Sequence, residues 1–266
     1  MNDLKDKVVW VTGASSGIGR ALVIEAAKQG AQVILSGRNQ AALKKVQSDA
    51  GLTATNSFVL PLDLQKYKAL AKIVPRAVKA FGTIDVLFNN GGISQRSLTY
   101  ETKLQVYEDL MAVNYFGNIA LSLAVLPLMR AKGKGIIATV SSVAGKFGTP
   151  LRSGYSASKF ATVGFYEALR AENFDKNVQV TIVYPGFVNT NVAINALTAT
   201  GKKQGVQDAA TAAGITPEEC AERAWKGILA GKNEVYIAGG KERFGMFVHK
   251  FFPSFFAKMI RKMKVT

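Results

Sequence analysis

Tyr155 and Lys159 stand four residues apart in Tyr155-Ser156-Ala157-Ser158-Lys159, so on a helix they project from one face. An ammonium beside a phenol stabilises the phenolate. A free tyrosine, with a pKa of about 10, needs such a field before it can trade protons with an alcohol or carbonyl oxygen near neutral pH. By itself the pairing is no more than chance supplies in a chain with this many tyrosines and lysines. A second arrangement lies near the start, where Thr12-Gly13-Ala14-Ser15-Ser16-Gly17-Ile18-Gly19 separates a β-rich apolar run from a helix-period stretch. A strand, a glycine-rich turn and a helix N-terminus make a cradle for phosphate, because free N–H groups and the helix dipole favour negative charge. The next candidate strand ends in Leu35-Ser36-Gly37-Arg38-Asn39, where a site specific for NAD offers an acidic side chain to the ribose hydroxyls. None is present. Gly37 leaves room and Arg38 can pair with a 2′-phosphate, with Ser15 or Ser16 adding hydrogen bonds, which points to NADP(H). The plainer reading of Arg38 is a solvated side chain at a strand end.

These groups need a scaffold that brings residue 13 near residue 155. Short apolar, β-rich runs recur at 8–12, 33–36, 57–60, 86–89, 136–140, 180–183 and 235–237, and between them lie helix-period stretches at 20–29, 40–48, 66–81, 104–129, 153–174 and 217–229. Such alternation predicts an α/β fold, a parallel sheet of about seven strands with helices on both faces. At 266 residues and 48% hydrophobic the chain reads as one domain spanning 1–266. Residues 190–215 leave the rhythm, with Asn191, Asn195, Gly201, Lys202, Lys203 and Gly205 among small residues. Directly after a candidate strand, they form either a substrate lid or a surface insertion, and the lid is the expectation.

With these residues in view, the chain resembles the short-chain dehydrogenase/reductase family over residues 5–240, and within it the members similar to hydroxysteroid dehydrogenases. The resemblance implies a Rossmann-like doubly wound sheet and an oxidoreductase acting on CH–OH groups. It rests on several segments. The 12–19 turn matches the cofactor fingerprint, implying contacts from Gly13, Ser15, Ser16, Gly17, Ile18 and Gly19. Asp63 matches the residue placed near adenine. Asn89-Asn90-Gly91-Gly92 resembles the family's Asn-Asn-Ala-Gly, with Gly91 in place of Ala and Asn90 beside the cofactor. Pro185, Gly186, Val188 and Thr190 match the segment that holds the nicotinamide amide. Asn114, Ser142, Tyr155 and Lys159 match the catalytic tetrad. The resemblance implies that Tyr155 protonates the substrate oxygen, Ser142 hydrogen-bonds it, and Lys159 holds the nicotinamide ribose. Asn114 is implied to bend its helix and hold a water that relays protons to Lys159. Family members pair through long helices, so 104–129 and 153–174 are the expected surfaces of a homodimer or homotetramer.

Composition narrows the partners. One cysteine, Cys220, and one histidine, His249, leave neither a disulfide nor an ordinary metal centre, and Cys220 reads as inert packing. No bound metal is expected. Lys and Arg number 34 against 18 Asp and Glu, a net charge of +16, so something acidic is attracted, but no zinc-finger spacing or dense basic-aromatic stretch marks a nucleic-acid binder. The first ten residues form neither a signal peptide nor an anchor, and no apolar run reaches the roughly 20 residues that span a bilayer, so a cytoplasmic protein, at most peripherally bound, is expected.

The segment 241–266 is a basic amphipathic extension. Phe244, Phe247, Val248, Phe251, Phe252, Phe255, Phe256, Met259, Ile260 and Met263 recur at helical spacing around Pro253, interleaved with Lys241, Arg243, Lys250, Lys258, Arg261, Lys262 and Lys264. Such a helix can lie on an anionic membrane, pack on its own domain, roof the pocket or join subunits. A tail of this kind, as in the members resembling hydroxysteroid dehydrogenases, implies a small hydrophobic steroid- or lipid-like carbonyl or alcohol as substrate. A 3-oxoacyl-(acyl carrier protein) reductase suits the basic surface too, and a non-catalytic NADP sensor is a third reading, disfavoured because Tyr155 and Lys159 are both present.

Overall fold

The computed structural model describes residues 3–262. Among them, β1 (Val8–Thr12), β2 (Gln32–Ser36), β3 (Ser57–Val59), β4 (Val86–Asn89), β5 (Gly135–Val140), β6 (Val178–Pro185) and β7 (Glu234–Ile237) pair in parallel in the order β3-β2-β1-β4-β5-β6-β7. This is the Rossmann-like sheet anticipated. Each strand grew from an apolar run, with β1 and β4 at the expected bounds and the ends of the others moved by one or two residues. The helices are α1 (Gly17–Lys28), α2 (Gln40–Asp49), α3 (Val74–Phe81), α4 (Leu104–Met111), α5 (Gly117–Lys132), α6 (Ser153–Glu172), α7 (Ala209–Ala212), α8 (Pro217–Leu229), α9 (Gly240–Phe251) and α10 (Pro253–Met259).

Side chains of a strand alternate between faces, and the core divides accordingly. Val9 and Val11 join Leu22, Leu43, Trp225 and Ile228 of α1, α2 and α8, while Val8 and Trp10 join Val74, Leu121, Val125, Val163 and Tyr166 of α3, α5 and α6. The two buried indoles find acceptors: Trp10 Nε1 donates to Ser36 Oγ at 2.9 Å and Trp225 Nε1 to the Leu22 carbonyl at 3.1 Å. Cys220 lies in the first of these layers, and burial pushes its thiol up to about 12, as inert packing requires. Between β1 and β4 the strand order reverses direction, and the crevice beyond the strand ends opens there.

Three stretches depart from the sequence pattern. The expected helix over 66–81 is a 3-10 segment, Leu64–Ile73, with non-helical backbone at Lys66. The α-helix starts only at Val74, where Pro75 occupies the first turn. The expected helix over 104–129 is two helices joined by a π turn, Ala112–Phe116, centred on Asn114. Run together, 104–132 is long and apolar enough to cross a bilayer, with mean hydropathy 1.5 over an 18-residue window, contrary to the expectation that no stretch reaches that size. The fold lays it on the sheet: Leu121, Val125 and Met129 are fully buried, and Asn118 and Ser122 are buried and hydrogen-bonded.

The tail folds back as a helical hairpin. Val248 and Phe256 pack on Val143, Phe147 and Ala238, the Phe147 and Phe256 rings 4.9 Å apart. Arg243 donates to the Ala238 and Tyr236 carbonyls at 3.2 and 3.4 Å, tying the hairpin to β7. Phe244, Phe247, Phe251, Phe252 and Phe255 stay more than half exposed. Met263 and Lys264, counted in the amphipathic pattern, lie outside the described residues.

Candidate active site

A cleft of about 470 Å³ runs along the ends of the central strands, lined at one end by the 13–19 turn, Gly37, Arg38 and Asp63, and at the other by Ser142, Tyr155 and the 190–215 segment. The turn is shaped by what glycine allows. Gly13 and Gly17 adopt φ of +65° and +53°, in the left-handed region. A Cβ on Gly13 would stand 2.7 Å from the Gly91 Cα, and one on Gly19 would overlap the Gly13 carbonyl oxygen. Two hydrogen-bonding groups lock the turn to the end of β4. Thr12 Oγ1 accepts from the Asn90 and Gly91 N–H groups at 3.1 and 3.0 Å, and Asn90 Nδ2 donates to the Thr12 and Gly13 carbonyls at 3.0 and 3.4 Å. Asn90 thus acts on the protein's own backbone. Ser16 is the exposed cap residue of α1, with no side-chain cap bond, and Ser15 lies beside Gly37, whose Cβ position is 3.6 Å from Ser15 Oγ. Arg38 is exposed at the rim next to it. The turn, kept free of side chains at Gly13, Gly17 and Gly19, and the adjoining Ser15, Gly37 and Arg38 fit a dinucleotide.

At the other end, α6 presents Tyr155 and Lys159 on one face. Lys159 is buried, its Nζ 5.8 Å from the centre of the Tyr155 ring and 2.7 Å from the Val140 carbonyl, to which it donates. Burial lowers this ammonium to about 8. Ser142, just past β5, has its Oγ in the cleft, accepting from the Ala144 N–H at 3.2 Å and donating to the Pro185 carbonyl at 3.5 Å. Asn114 reaches the site through the π turn. Its Oδ1 accepts from the Ile93 N–H at 2.8 Å, and its Nδ2 donates to the Ile93 carbonyl and to Ser158 Oγ, both at 2.9 Å. Ser158 in turn donates to the Tyr155 carbonyl at 2.7 Å. A Cβ on Gly92 would meet Asn114 Oδ1 at 3.0 Å and Lys159 Nζ at 3.6 Å, so both polar groups border the space that this glycine leaves open. Pro185, Gly186, Val188 and Thr190 line the cleft where β6 ends, and Thr190 Cγ2 faces the Gly17 Cβ position at 3.0 Å.

Several residues at the cleft or packed beside it carried no signal in the sequence. Gln95 Oε1 accepts from the Gly154 and Tyr155 N–H groups at 2.7 and 3.3 Å, closing the N-terminus of α6. The Arg96 guanidinium, buried, meets Asp208 through Nε at 2.8 Å and through Nη2, while Nη1 donates to Ser94 Oγ at 2.9 Å and the Gln95 carbonyl at 2.7 Å. Arg152, also buried, lies 3.9 Å from the same carboxylate. Asp208 belongs to the 190–215 segment, which is further stitched to Ser94 and Arg96 by main-chain bonds at Leu197. Asn191, Val192, Asn195, Leu197, Lys203 and Thr211 of that segment line the cleft. The tail does not: among the described residues none after 211 lines it. Its nearest approach is Glu242, whose Oε1 stands 2.9 Å from the Gly186 Cβ position.

A doubly wound sheet with a glycine turn at its first strand, and a tyrosine above a buried lysine in the same cleft, defines a nucleotide-dependent oxidoreductase. Residues 7–200 match the family model for short chain dehydrogenases, and the chain belongs to that family. It is 40% identical over 264 residues to a "Dehydrogenase/reductase SDR family protein 7-like" of Anopheles gambiae, covering 97% of this chain and 83% of the relative. It is 37% identical to "Dehydrogenase/reductase SDR family member 7B" of Mus musculus, covering 97% and 81%. Among solved structures, a short-chain dehydrogenase from Streptomyces avermitilis superposes with a TM-score of 0.79 at 28% identity, covering 96% of each chain. The fold is shared also by a short chain dehydrogenase/reductase from Burkholderia phymatum in complex with NAD, with a TM-score of 0.80 at 23% identity, covering 94% of this chain and 96% of that one. The protein is thus an NAD(P)-dependent oxidoreductase of the short-chain dehydrogenase/reductase family.

Proposed function

We propose that this protein is an NADP(H)-dependent reductase or dehydrogenase for the carbonyl or secondary alcohol of a hydrophobic, lipid-like molecule. The observation that carries this reading is the Tyr155 ring, its centre 5.8 Å from the Nζ of buried Lys159, in the cleft that the phosphate-type turn also lines. When bound, the nicotinamide supplies or accepts the hydride. The chain's residues do the rest. Tyr155 donates its proton to the substrate oxygen in reduction, and Lys159 favours the phenolate left behind. Ser142 turns its hydroxyl from the Pro185 carbonyl to the same oxygen and steadies the charge that grows there. Asn114 positions: it clamps the Ile93 backbone and, through Ser158, the turn of α6 that carries Tyr155, and its carbonyl oxygen beside Gly92 offers a water a place on the path to Lys159. Gly37 and Arg38, beside Ser15, favour a 2′-phosphate, and residues 190–215 serve as the substrate lid.

Tyr155→Phe tests the mechanism. It should lower kcat by about a thousandfold, within the range of a lost general acid, while the dissociation constant for NADPH stays within about threefold. Full turnover in that variant would remove Tyr155 from the chemistry. Comparing acyl thioesters with free ketones separates the reductase of carrier-bound acyl groups from the reading preferred here. NADPH binding without turnover of either class would leave a sensor.

Two surfaces suit partners. Leu104, Phe116, Leu123, Leu128 and Phe160 expose an apolar face on α4, α5 and α6, fitted to a second copy of the chain. The five exposed phenylalanines of α9, the bend and α10 are set among Lys241, Arg243, Lys250, Lys258, Arg261 and Lys262, with Glu242 as the sole acid of 241–262. That combination suits an anionic bilayer. Replacing Phe247 and Phe251 with serine in the full chain should cut co-sedimentation with phosphatidylserine vesicles about tenfold. Equal binding by variant and parent, or by neither, would discard the membrane contact.

A further inference from the structure

An open groove of about 1190 Å³ lies between the edge strand β7, the end of α8 and the tail helix α9, and among the described residues none lines both it and the cleft of Tyr155. Of its described lining residues, six are Lys or Arg and one, Glu234, is a carboxylate. Glu234 is committed to the protein, accepting from the Tyr236 hydroxyl at 2.6 Å and from the Tyr184 hydroxyl and Lys146 Nζ, both at 3.1 Å. Arg243 is bound to carbonyls at the end of β7, and Arg223 pairs with Glu219. The other three cations, Lys226, Lys232 and Lys250, stand exposed along the groove. The way α8 ends fixes two of them. Lys226 lies in its last turn, and the chain reverses through Gly231, at φ of +70°, so that the Lys232 N–H reaches the Gly227 carbonyl at 3.1 Å. The carbonyl end of the helix dipole favours cations there.

The wall that α9 and the bend at Pro253 contribute is mostly hydrocarbon. Met246, Phe247 and Phe251 line it, the two rings 4.9 Å apart and each more than half exposed. Lys250 sits among them, its Nζ 5.5 Å from the centre of the Phe251 ring. Exposed aromatic surface gathered in a concave site is what a ligand covers.

We propose that this groove binds one anionic phospholipid, its phosphate against Lys226 and Lys232 and its acyl chains against Met246, Phe247 and Phe251. The division of the groove selects the occupant. A nucleic acid or a polyacidic peptide carries charge along its whole length and would set charge against the phenylalanines. A phospholipid parts charge from hydrocarbon as the groove does. The inference goes beyond the bilayer contact proposed above, because it assigns a site that a single dissolved lipid fills with no bilayer present.

The test is calorimetric titration of the full chain with dihexanoyl-phosphatidylglycerol, dihexanoyl-phosphatidylcholine or glycerol 3-phosphate, each lipid below its micellar concentration. The anionic lipid should bind at least about tenfold more tightly than the zwitterionic lipid, which has the same chains, and than glycerol phosphate, which has the charge without them. Lys226→Gln with Lys232→Gln should weaken it by about tenfold or more, with the unfolding midpoint scarcely moved because both side chains are exposed. Lys68→Gln with Lys72→Gln removes the same charge from exposed positions that line neither hollow, and should change binding by less than about twofold at physiological salt. Equal binding of the two lipids, or of lipid and glycerol phosphate, overturns the proposal. So does an equal loss in both double variants, which assigns the lipid to net charge. A chain that sediments with phosphatidylserine vesicles yet takes up no dissolved lipid keeps the bilayer contact and loses the groove.

Discussion

At the end of the cleft lined by the glycine turn, the wall is main chain between β1 and α1, where neighbours in space are neighbours in sequence. At the Tyr155 end it is held by side chains from distant segments, Arg96 and its partner Asp208 standing 112 positions apart. The first region buries no ionised side chain, and its Arg38 sits in solvent. The second buries charge. Lys159, Arg96, Arg152 and Asp208 are all withdrawn from water, so their arrangement is bound up with stability. The end built of backbone is therefore sensitive to added atoms, and the end that buries ions to lost charge.

The largest expected effect breaks the substrate end. Asp208→Asn leaves Arg96 buried without its counter-ion, and the loss of one partner from such a pair costs about 3–5 kcal/mol. Urea unfolding should show a loss in that range, and limited proteolysis should cut the variant between 190 and 215 at concentrations that spare the parent. Unchanged stability would mean that the pair does not hold the lid.

Lys159 lies where the two ends meet and offers a test through pH. Its folded pKa of about 8 is below the ordinary 10.5. Between those values the unfolded chain keeps a proton that the folded chain has shed, so stability rises with pH across that window, by up to about 3 kcal/mol. Below pH 8 both states are protonated and the cost of the buried ammonium is present in full. Lys159→Met should be the more stable protein there and should lack the rise toward pH 10.5. Parallel stability curves for the two proteins from pH 7 to 10.5 would contradict the burial of a titrating lysine.

The smallest effect sharpens the cofactor end. Gly37→Asp together with Arg38→Ala removes the partner of a 2′-phosphate and adds a repelling carboxylate, so the preference for NADP over NAD should fall by roughly ten- to a hundredfold, worth about 1.4–2.7 kcal/mol. The unfolding midpoint should scarcely move, in contrast to Asp208→Asn, because both positions are near the rim. An unaltered ratio of the two cofactors would acquit Arg38.

Much of this was legible in the chain. Every β-rich run became a strand of the sheet, because burial on both faces demands unbroken apolar stretches. The turn and the tyrosine–lysine pair were legible because short-range spacing controls them: a helix turn for Tyr155 and Lys159, a strand-to-helix reversal for Gly13 to Gly19; Asn114 and Ser142 stood out only through the family resemblance. The break at Asn114 was implied only by the family resemblance, not by the pattern of its own stretch. Its run is apolar and helical in period throughout, and the π turn reflects a pull from Ile93 and Ser158, which only packing supplies. The tail's period announced an amphipathic helix without saying which side docks. Val248 and Phe256 turn inward because Phe147 awaits them, and five similar phenylalanines do not.

By itself, then, the sequence determined the alternating sheet, the phosphate-type turn and the tyrosine–lysine pair, since each depends on residues a few positions apart and on periods of two or 3.6. Only the tertiary structure decided that Arg96, Arg152 and Asp208 meet, that part of the 190–215 segment lines the same cleft as Tyr155, and that among the described residues the tail does not line it. Those contacts join segments that carry no mark of one another, and charge burial, which gives them their energy, exists only once the chain has folded around them.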